Sequence, residues 1–329
     1  MAGVQTSIPQ DFELALDQHR RALTGYCYRM LGSSFEAEDA VQEAFLRAWR
    51  NVDRFEGRSA FKSWLYKIAT NVCLDMLDGR KRRARPMDLS AVGTPESHLT
   101  QSPEATWLEP IPDARVLPDA ADPAELAQER ETLRLAFVNA LQHLPAKQRS
   151  VLILREVLRW SAAETAELLD TSVPSVNSAL QRARASLDSA GVELAEDASK
   201  LDADQQELVD RYLKAFEAYD MDSLVALLAE DATMSMPPYD LWLRGIEHIR
   251  AWFLGPGAPC RGSKLIATTA NGLPAYGQYR PNADGSGHHP WGLGVLEISS
   301  GRIVGINTFL DVDRLFPLFG LPPVPPADA

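Results

Sequence analysis

From Phe12 to about Arg85 the apolar residues recur three and four positions apart: Leu14, Leu23, Tyr26 and Leu31; then Ala40, Val41, Ala44, Phe45 and Ala48; then Phe61, Trp64, Leu65, Ile68, Ala69 and Val72. Residues so spaced fall on one face of a helix, so the pattern predicts a compact all-helical unit. Gly32-Ser33-Ser34 and the stretch from Asp53 to Ser59 interrupt it and are read as interhelical turns. A second helical pattern runs from about Leu126 to Leu187. A third segment opens near Asp204 with helical spacing (Leu208, Tyr212, Phe216, Tyr219). It then turns strand-like over Lys264 to Ala270, Ala275 to Tyr279, Gly292 to Ile298 and Ile303 to Phe309. The expected fold is multidomain: two all-α domains followed by an α+β domain.

Between Pro86 and Pro123 seven prolines stand among many acids, a composition that predicts a linker unable to sustain helix or bury a core. Within it, Trp107-Leu108-Glu109-Pro110-Ile111-Pro112-Asp113 is too apolar for a spacer and is read as an anchor for a partner surface. The tail Leu315-Phe316-Pro317-Leu318-Phe319-Gly320-Leu321-Pro322 is equally apolar, and two readings stand open. It contacts the helical unit, or it closes its own domain.

Net charge is −12, which would argue against nucleic-acid binding were it evenly spread. It is not: residues 1–85 sum to +3, 86–125 to −7, 126–190 to +1 and 191–329 to −9. Local basic surface decides phosphate binding, so the two helical units remain candidates. The three cysteines, Cys27, Cys73 and Cys260, are far apart and form no ligand cluster, so no disulfide framework or structural metal is expected. The N-terminus lacks a signal-type apolar core and no run approaches about 18 apolar residues, which predicts a soluble, cytoplasmic protein with no membrane partner.

The strongest local motif is Trp160 to Asp170, a tight Asp170-Thr171-Ser172 turn, and a helix from Val173 to Leu187 with Ser172 as cap and Pro174 in its first turn. That outline is a helix-turn-helix. Its second helix points Val176, Leu180 and Ala183 inward and presents Ser175, Asn177, Ser178, Gln181, Arg182 and Arg184. Short polar groups near the helix start suit base edges, and the arginines beyond suit phosphates. A second constellation comprises Ala37 to Trp49, Phe55 to Asn71, and Arg80-Lys81-Arg82-Arg83.

Together, these motifs resemble the sigma-70 family of RNA polymerase subunits, in its extracytoplasmic-function group, over roughly residues 10–85 and 126–190. The resemblance implies sigma region 2 over residues 1–86, an acidic linker over 87–125, and a region 4 helix-turn-helix over 126–192. Its implied partners are core RNA polymerase and promoter DNA. By analogy Asp39, Gln42 and Glu43, on one helical face, meet the polymerase clamp. Asn71, with Phe55 and Lys62 near it, captures a flipped −10 base, Arg80 to Arg83 bind backbone phosphate, and the exposed face of the helix-turn-helix reads the −35 element. Phe61, Trp64, Leu65, Ile68 and Trp49 are read as core. Asp170 stands where many relatives carry glycine, and Val173-Pro174 replaces a polar pair, so the −35 bases read are left open.

Residues 200–320 resemble the SnoaL-like, nuclear-transport-factor-like cone, in which helices wrap a curved sheet around an apolar cavity. Its candidate lining is Tyr212, Phe216, Met234, Met236, Trp242, Trp252, Tyr279, Trp291 and Phe309, open to an unidentified small molecule. Asp231, His248, His288 and His289 are the titratable candidates, and none forms a dyad by spacing. The reading is a promoter-specific initiation factor whose cone modulates it, without cofactor or reaction of its own. The alternative is a DNA-binding module fused to a small-molecule-processing SnoaL-like enzyme.

Overall fold

The computed structural model describes residues 12–55, 60–118, 122–189 and 203–326. In chain order the helices are α1 (Phe12–Leu31), α2 (Ser34–Arg50), α3 (Phe61–Leu77), α4 (Pro86–Leu89), α5 (Asp113–Val116), α6 (Pro123–Glu131) and α7 (Leu135–Gln142). Then come α8 (Ala146–Leu152), α9 (Ala162–Leu168), α10 (Val173–Ser189), α11 (Ala203–Glu217), α12 (Met221–Val225), α13 (Ile246–Leu254) and α14 (Val312–Leu318). Six strands lie in the C-terminal third: β1 (Leu228–Ser235), β2 (Trp242–Arg244), β3 (Lys264–Ala270), β4 (Leu273–Pro281), β5 (His288–Ser299) and β6 (Arg302–Phe309). They fall into two compact units, residues 12–83 with 113–189, and residues 84–112 with 203–326.

The first unit is all helical. Gly32 takes a left-handed φ of 72° and ends α1, and the Ser33 hydroxyl then accepts the Glu36 amide at 3.1 Å to start α2, so the expected turn is built as read. Ala37, Ala40, Val41, Ala44 and Ala48 give α2 a small, fully buried face on which α1 and α3 close. The Tyr26 and Thr70 hydroxyls bond at 2.8 Å across that interface, and Cys27 and Cys73 are buried beside it. Burial pushes the Cys73 thiol well above its ordinary range, as befits an inert core residue.

Helices α6 to α10 pack on the same body through a polar core. Arg29 of α1, 2% exposed, donates to the Thr132 hydroxyl and the Glu129 carboxylate, each at 2.7 Å. Arg149 of α8, 4% exposed, donates to the Met30 carbonyl, to Gln142 Oε1 at 2.6 Å, and to the Gln142 and Leu144 carbonyls at 3.1 and 3.2 Å. Lacking a carboxylate, this guanidinium is held by carbonyl dipoles, and burial pulls it down to about 10.

The second unit is one six-stranded sheet in the order β2-β1-β6-β5-β4-β3, antiparallel except for the parallel pair β1 and β6. Register shifts in β1, between Gln278 and Tyr279, and between Glu297 and Ile298 bend it. Helices α11 to α13 cover the concave face, burying Tyr212, Phe216, Leu224, Ile249, Leu296 and Ile306. Gly294 faces Tyr276 in register, and a side chain there would meet the Tyr276 ring at 2.3 Å, so only glycine lets that ring lie across the sheet.

The segment read as a structureless linker is largely ordered. Ala84 pairs with Trp107, Gln101 bridges Tyr239, and Pro112 bridges Ala270. The Ile111 amide donates to Asn271 Oδ1 and the Asn271 amide returns to the Ile111 carbonyl, both at 3.0 Å. Contrary to the expectation from its prolines and acids, the segment forms the single-turn helices α4 and α5 and buries Trp107, Leu108, Ile111, Val116 and Leu117, because partners elsewhere in the fold satisfy its backbone groups. Ile111-Pro112 is thus an anchor, and the surface it docks on belongs to its own chain. The tail is settled likewise: Phe316 meets the Tyr279 ring at 5.2 Å, Tyr279 Oη donates to the Pro322 carbonyl at 2.8 Å, and Leu321 is buried over Gly277.

Candidate nucleic-acid and partner interfaces

The buried alanine face of α2 leaves its opposite face to solvent. Asp39 and Gln42 are exposed there, and Glu43 beside them is half-buried, pairing with Arg47 at 2.7 Å, which in turn reaches Asp75 at 3.0 Å. Two apolar residues continue the exposed row, Leu46 at 46% and Trp49 at 53%. Trp49 is therefore not core, as the spacing suggested. Its ring touches only the edge of a surface aromatic cluster, 5.6 Å from Phe12. An acidic row ending in two bare apolar side chains is the composition of a protein-binding face.

That cluster continues through Phe61 (5.7 Å from Phe12) to Phe55 and Trp64, whose rings lie 5.0 Å apart. Of the four α3 positions assigned to the core, Leu65 is buried, while Phe61, Trp64 and Ile68 are half-exposed. Heptad-like spacing marks a face but not the partner that covers it. Here the face is left as an aromatic surface of the kind on which unpaired bases stack.

Lys62 and Asn71 are both exposed on α3 but do not share a face. Nine residues is two and a half helical turns, so their side chains leave opposite sides of the helix. Asn71 instead aligns with Trp64 and Lys67, seven and four residues before it, and Lys62 lies over the Tyr66 ring at 5.9 Å. The Arg80 to Arg83 run is likewise not one basic strip. Arg83 is 7% exposed and pairs with Glu36 at 3.1 Å, Arg80 pairs with the same carboxylate at 2.5 Å, and Arg82 bonds the His143 ring. Lys81 is exposed with no carboxylate paired to it among the described residues.

The helix-turn-helix is built as read. Ser161 caps α9 with Glu164 reciprocating at 2.7 Å, which holds that carboxyl below its usual range. Asp170 adopts φ 49°, the left-handed turn that glycine serves more easily, and its carboxylate takes Lys67 at 2.7 Å. Ser172 Oγ accepts the Ser175 amide at 3.4 Å, and α10 buries Val176, Leu180, Ala183 and Leu187. Ser175, Asn177, Ser178, Gln181, Arg182 and Arg184 are all exposed on the remaining surface. Arg184 pairs with Glu156 at 2.7 Å, whereas Arg182 pairs with no carboxylate among the described residues.

In the second unit a cavity of about 160 Å³ opens between sheet and helices. Five of the nine expected residues line it: Phe216, Met234, Met236, Trp252 and Trp291. The others face elsewhere. Tyr212 is bonded to Tyr276 Oη at 3.0 Å in the core, Trp242 donates to the Ser90 carbonyl at 3.0 Å, Tyr279 carries the tail, and Phe309 is packed at the end of β6. Sequence pattern alone could not sort them, because core and cavity wall have the same composition. It also passed over the polar lining, Gln278 and Arg280, and Leu99 from the 84–112 segment. Asp231, His248, His288 and His289 stand outside the cavity, and each of these histidines bonds a local oxygen. Among the described residues no cluster of His, Cys, Asp and Glu could hold a metal, and no helix is long and apolar enough to cross a membrane.

Comparison with known proteins agrees with this anatomy. The family description Sigma-70 region 2 matches residues 15–83, Sigma-70, region 4 matches residues 134–187, and SnoaL-like domain matches residues 209–306. The chain is 44% identical over 320 residues to the ECF RNA polymerase sigma factor SigG of Mycobacterium tuberculosis, covering 95% of this chain and 84% of that one. It is 33% identical over 175 residues to the sigma factor SigW of Bacillus subtilis, covering 52% of this chain and 84% of SigW. The crystal structure of the M. tuberculosis extracytoplasmic function sigma factor SigJ superposes with a TM-score of 0.58 at 24% identity, covering 94% and 98% of the two chains, and supports the fold. Matched over 95% of its own length by a 44% identical relative, this chain belongs to the extracytoplasmic-function RNA polymerase sigma factors, with a C-terminal SnoaL-like domain.

Proposed function

We propose that Asp39, Gln42 and Glu43, extended by Leu46 and Trp49, dock on core RNA polymerase. Phe55, Asn71 and the Phe61–Trp64 aromatic surface receive the melted −10 strand, with Lys62, Arg80, Lys81 and Arg82 near backbone phosphate; Arg83 takes no part. The α10 face reads the −35 element. The observation that carries this is the exposure of all six α10 positions over a fully buried opposite side. The chain thus works wherever core polymerase meets promoters, in the cytoplasm.

Binding both elements requires the helical unit to open. The elements lie about 25 base pairs apart by their names, roughly 85 Å at 3.4 Å per pair. In the free chain Tyr66 and Trp160 are in ring contact at 5.2 Å, and Lys67 pairs with the recognition turn. The cone acts as a regulatory, small-molecule-binding domain rather than an enzyme. Its candidate acid and base side chains stand away from the cavity.

The test is a salt titration of −35 binding. Arg182→Ala should weaken binding and lower the slope of log K against log salt by about 0.9, the counterion equivalent of one lost phosphate contact. Arg184→Ala should do the same once its link to Glu156 is exchanged for phosphate. Unchanged slopes in both would remove α10 from the DNA.

A further inference from the structure

The cone cavity contains a cation without a counter-charge. Arg280, half-buried near the end of β4, lays its guanidinium 3.3 Å from the centroid of the Trp291 ring. One Nη donates to the Cys260 thiol at 2.9 Å, a weak neutral acceptor, while Nε is buried without any hydrogen-bond partner. Among the described residues no carboxylate pairs with it. This is unusual for its surroundings: residues 191–329 carry a net −9, and Glu297 of β5 in the same sheet holds Arg85 of the 84–112 segment at 2.8 Å. A half-buried guanidinium with one donor buried unpaired and no counter-charge is stabilised when an anion meets its remaining N–H groups.

The rest of the cavity defines what that anion is attached to. Phe216, Met234, Trp252 and Trp291 form apolar and aromatic walls. The volume, about 160 Å³, is close to that of engineered apolar cavities that hold one benzene ring. Trp291 occupies the face of the guanidinium, which leaves its edge for a planar, bidentate acceptor. We infer that the cone binds a small monocarboxylate with a single-ring or branched apolar body, about the size of benzoate, its carboxylate on Arg280. Leu99 forms part of the same wall, so the ligand would touch the 84–112 segment, which begins one residue beyond the Arg80 to Arg83 run. The inference rests on the reading of the cone as a ligand-binding domain and deepens it.

The experiment titrates the full chain with benzoate and, separately, with benzamide, its neutral isostere, following tryptophan fluorescence with calorimetry as a second readout. Trp252 and Trp291 report from the walls. Benzoate is expected to bind with a dissociation constant of about 1 mM or below, as its few atoms allow, and benzamide about ten- to a hundredfold more weakly. Arg280→Met should abolish the preference, and Arg280→Lys should keep part of it. Met234→Trp, which fills the cavity and leaves Arg280 in place, should remove binding of both, provided its far-UV spectrum and melting match the parent. Equal binding of benzoate and benzamide, or a preference that survives in Arg280→Met, would overturn the carboxylate assignment while leaving a ligand-binding cone. Binding of neither up to about 10 mM, or binding undiminished in Met234→Trp, would overturn both.

Discussion

Core polymerase is expected to bind the Asp39→Lys, Gln42→Lys double variant about a hundredfold more weakly than the parent chain, with the fold intact. Both side chains are exposed on α2, opposite its buried alanine face, so the change adds charge without disturbing packing. It also spares the Glu43–Arg47–Asp75 chain that ties α2 to α3. Two like charges set against a basic partner surface cost about 1.4 kcal/mol each, a factor of ten apiece. The loss should shrink as salt rises, because exposed charges are screened. Pull-down or fluorescence titration against core polymerase decides it, and affinity within threefold of the parent would place the docking face elsewhere.

Arg149→Met should destabilise the helical unit by about 3 kcal/mol, read as a lowered midpoint in chemical unfolding. The parent guanidinium satisfies three carbonyls and the Gln142 side chain in a site almost closed to water. Methionine fills the stem's volume but leaves those acceptors stranded, at about 1 to 3 kcal/mol for each one that no water reaches. Part of the loss is offset, since the buried cation itself is costly, as its lowered pKa reports. With a folded pKa near 10, below its ordinary value, the group is charged in both states at neutral pH. The unfolded chain binds the extra proton only above about pH 10, where stability from this group would rise. The deficit of the variant should therefore be flat between about pH 6 and 9. Because Met30 lies on α1 and Arg149 on α8, the variant should also loosen the packing of α8 on α1, seen as faster proteolysis between them. A midpoint equal to the parent's would show that the cluster carries no net stability.

The helical units over residues 12–85 and 126–187, the helix-turn-helix and the six-position α10 face were legible because each rests on local rules: period, cap and turn. The turn at Gly32 and the Ser172 cap follow from the same rules. What escaped depends on tertiary partners. Proline and acid content limits helix near Ile111 to the single turn of α5, but cannot reveal that Asn271, folded 160 residues away, completes the backbone bonds of Ile111. Trp49 and Phe61 sit at core-like spacing, yet what covers a helix face is a property of the assembled unit. Arg83 and Lys81 are indistinguishable in a basic run until Glu36 is placed beside one of them. Arg280 carried no sequence signal at all, since an arginine near a strand end looks the same with or without a counter-ion.

Run-off transcription with purified core polymerase on a promoter library tests the account most directly. The chain should confer initiation on a narrow set of promoters sharing two elements about 25 base pairs apart, with Asn71→Ala stalling before the strands separate and Arg182→Ala weakening the upstream element alone. Initiation that ignores both elements, or none beyond core polymerase by itself, would contradict it.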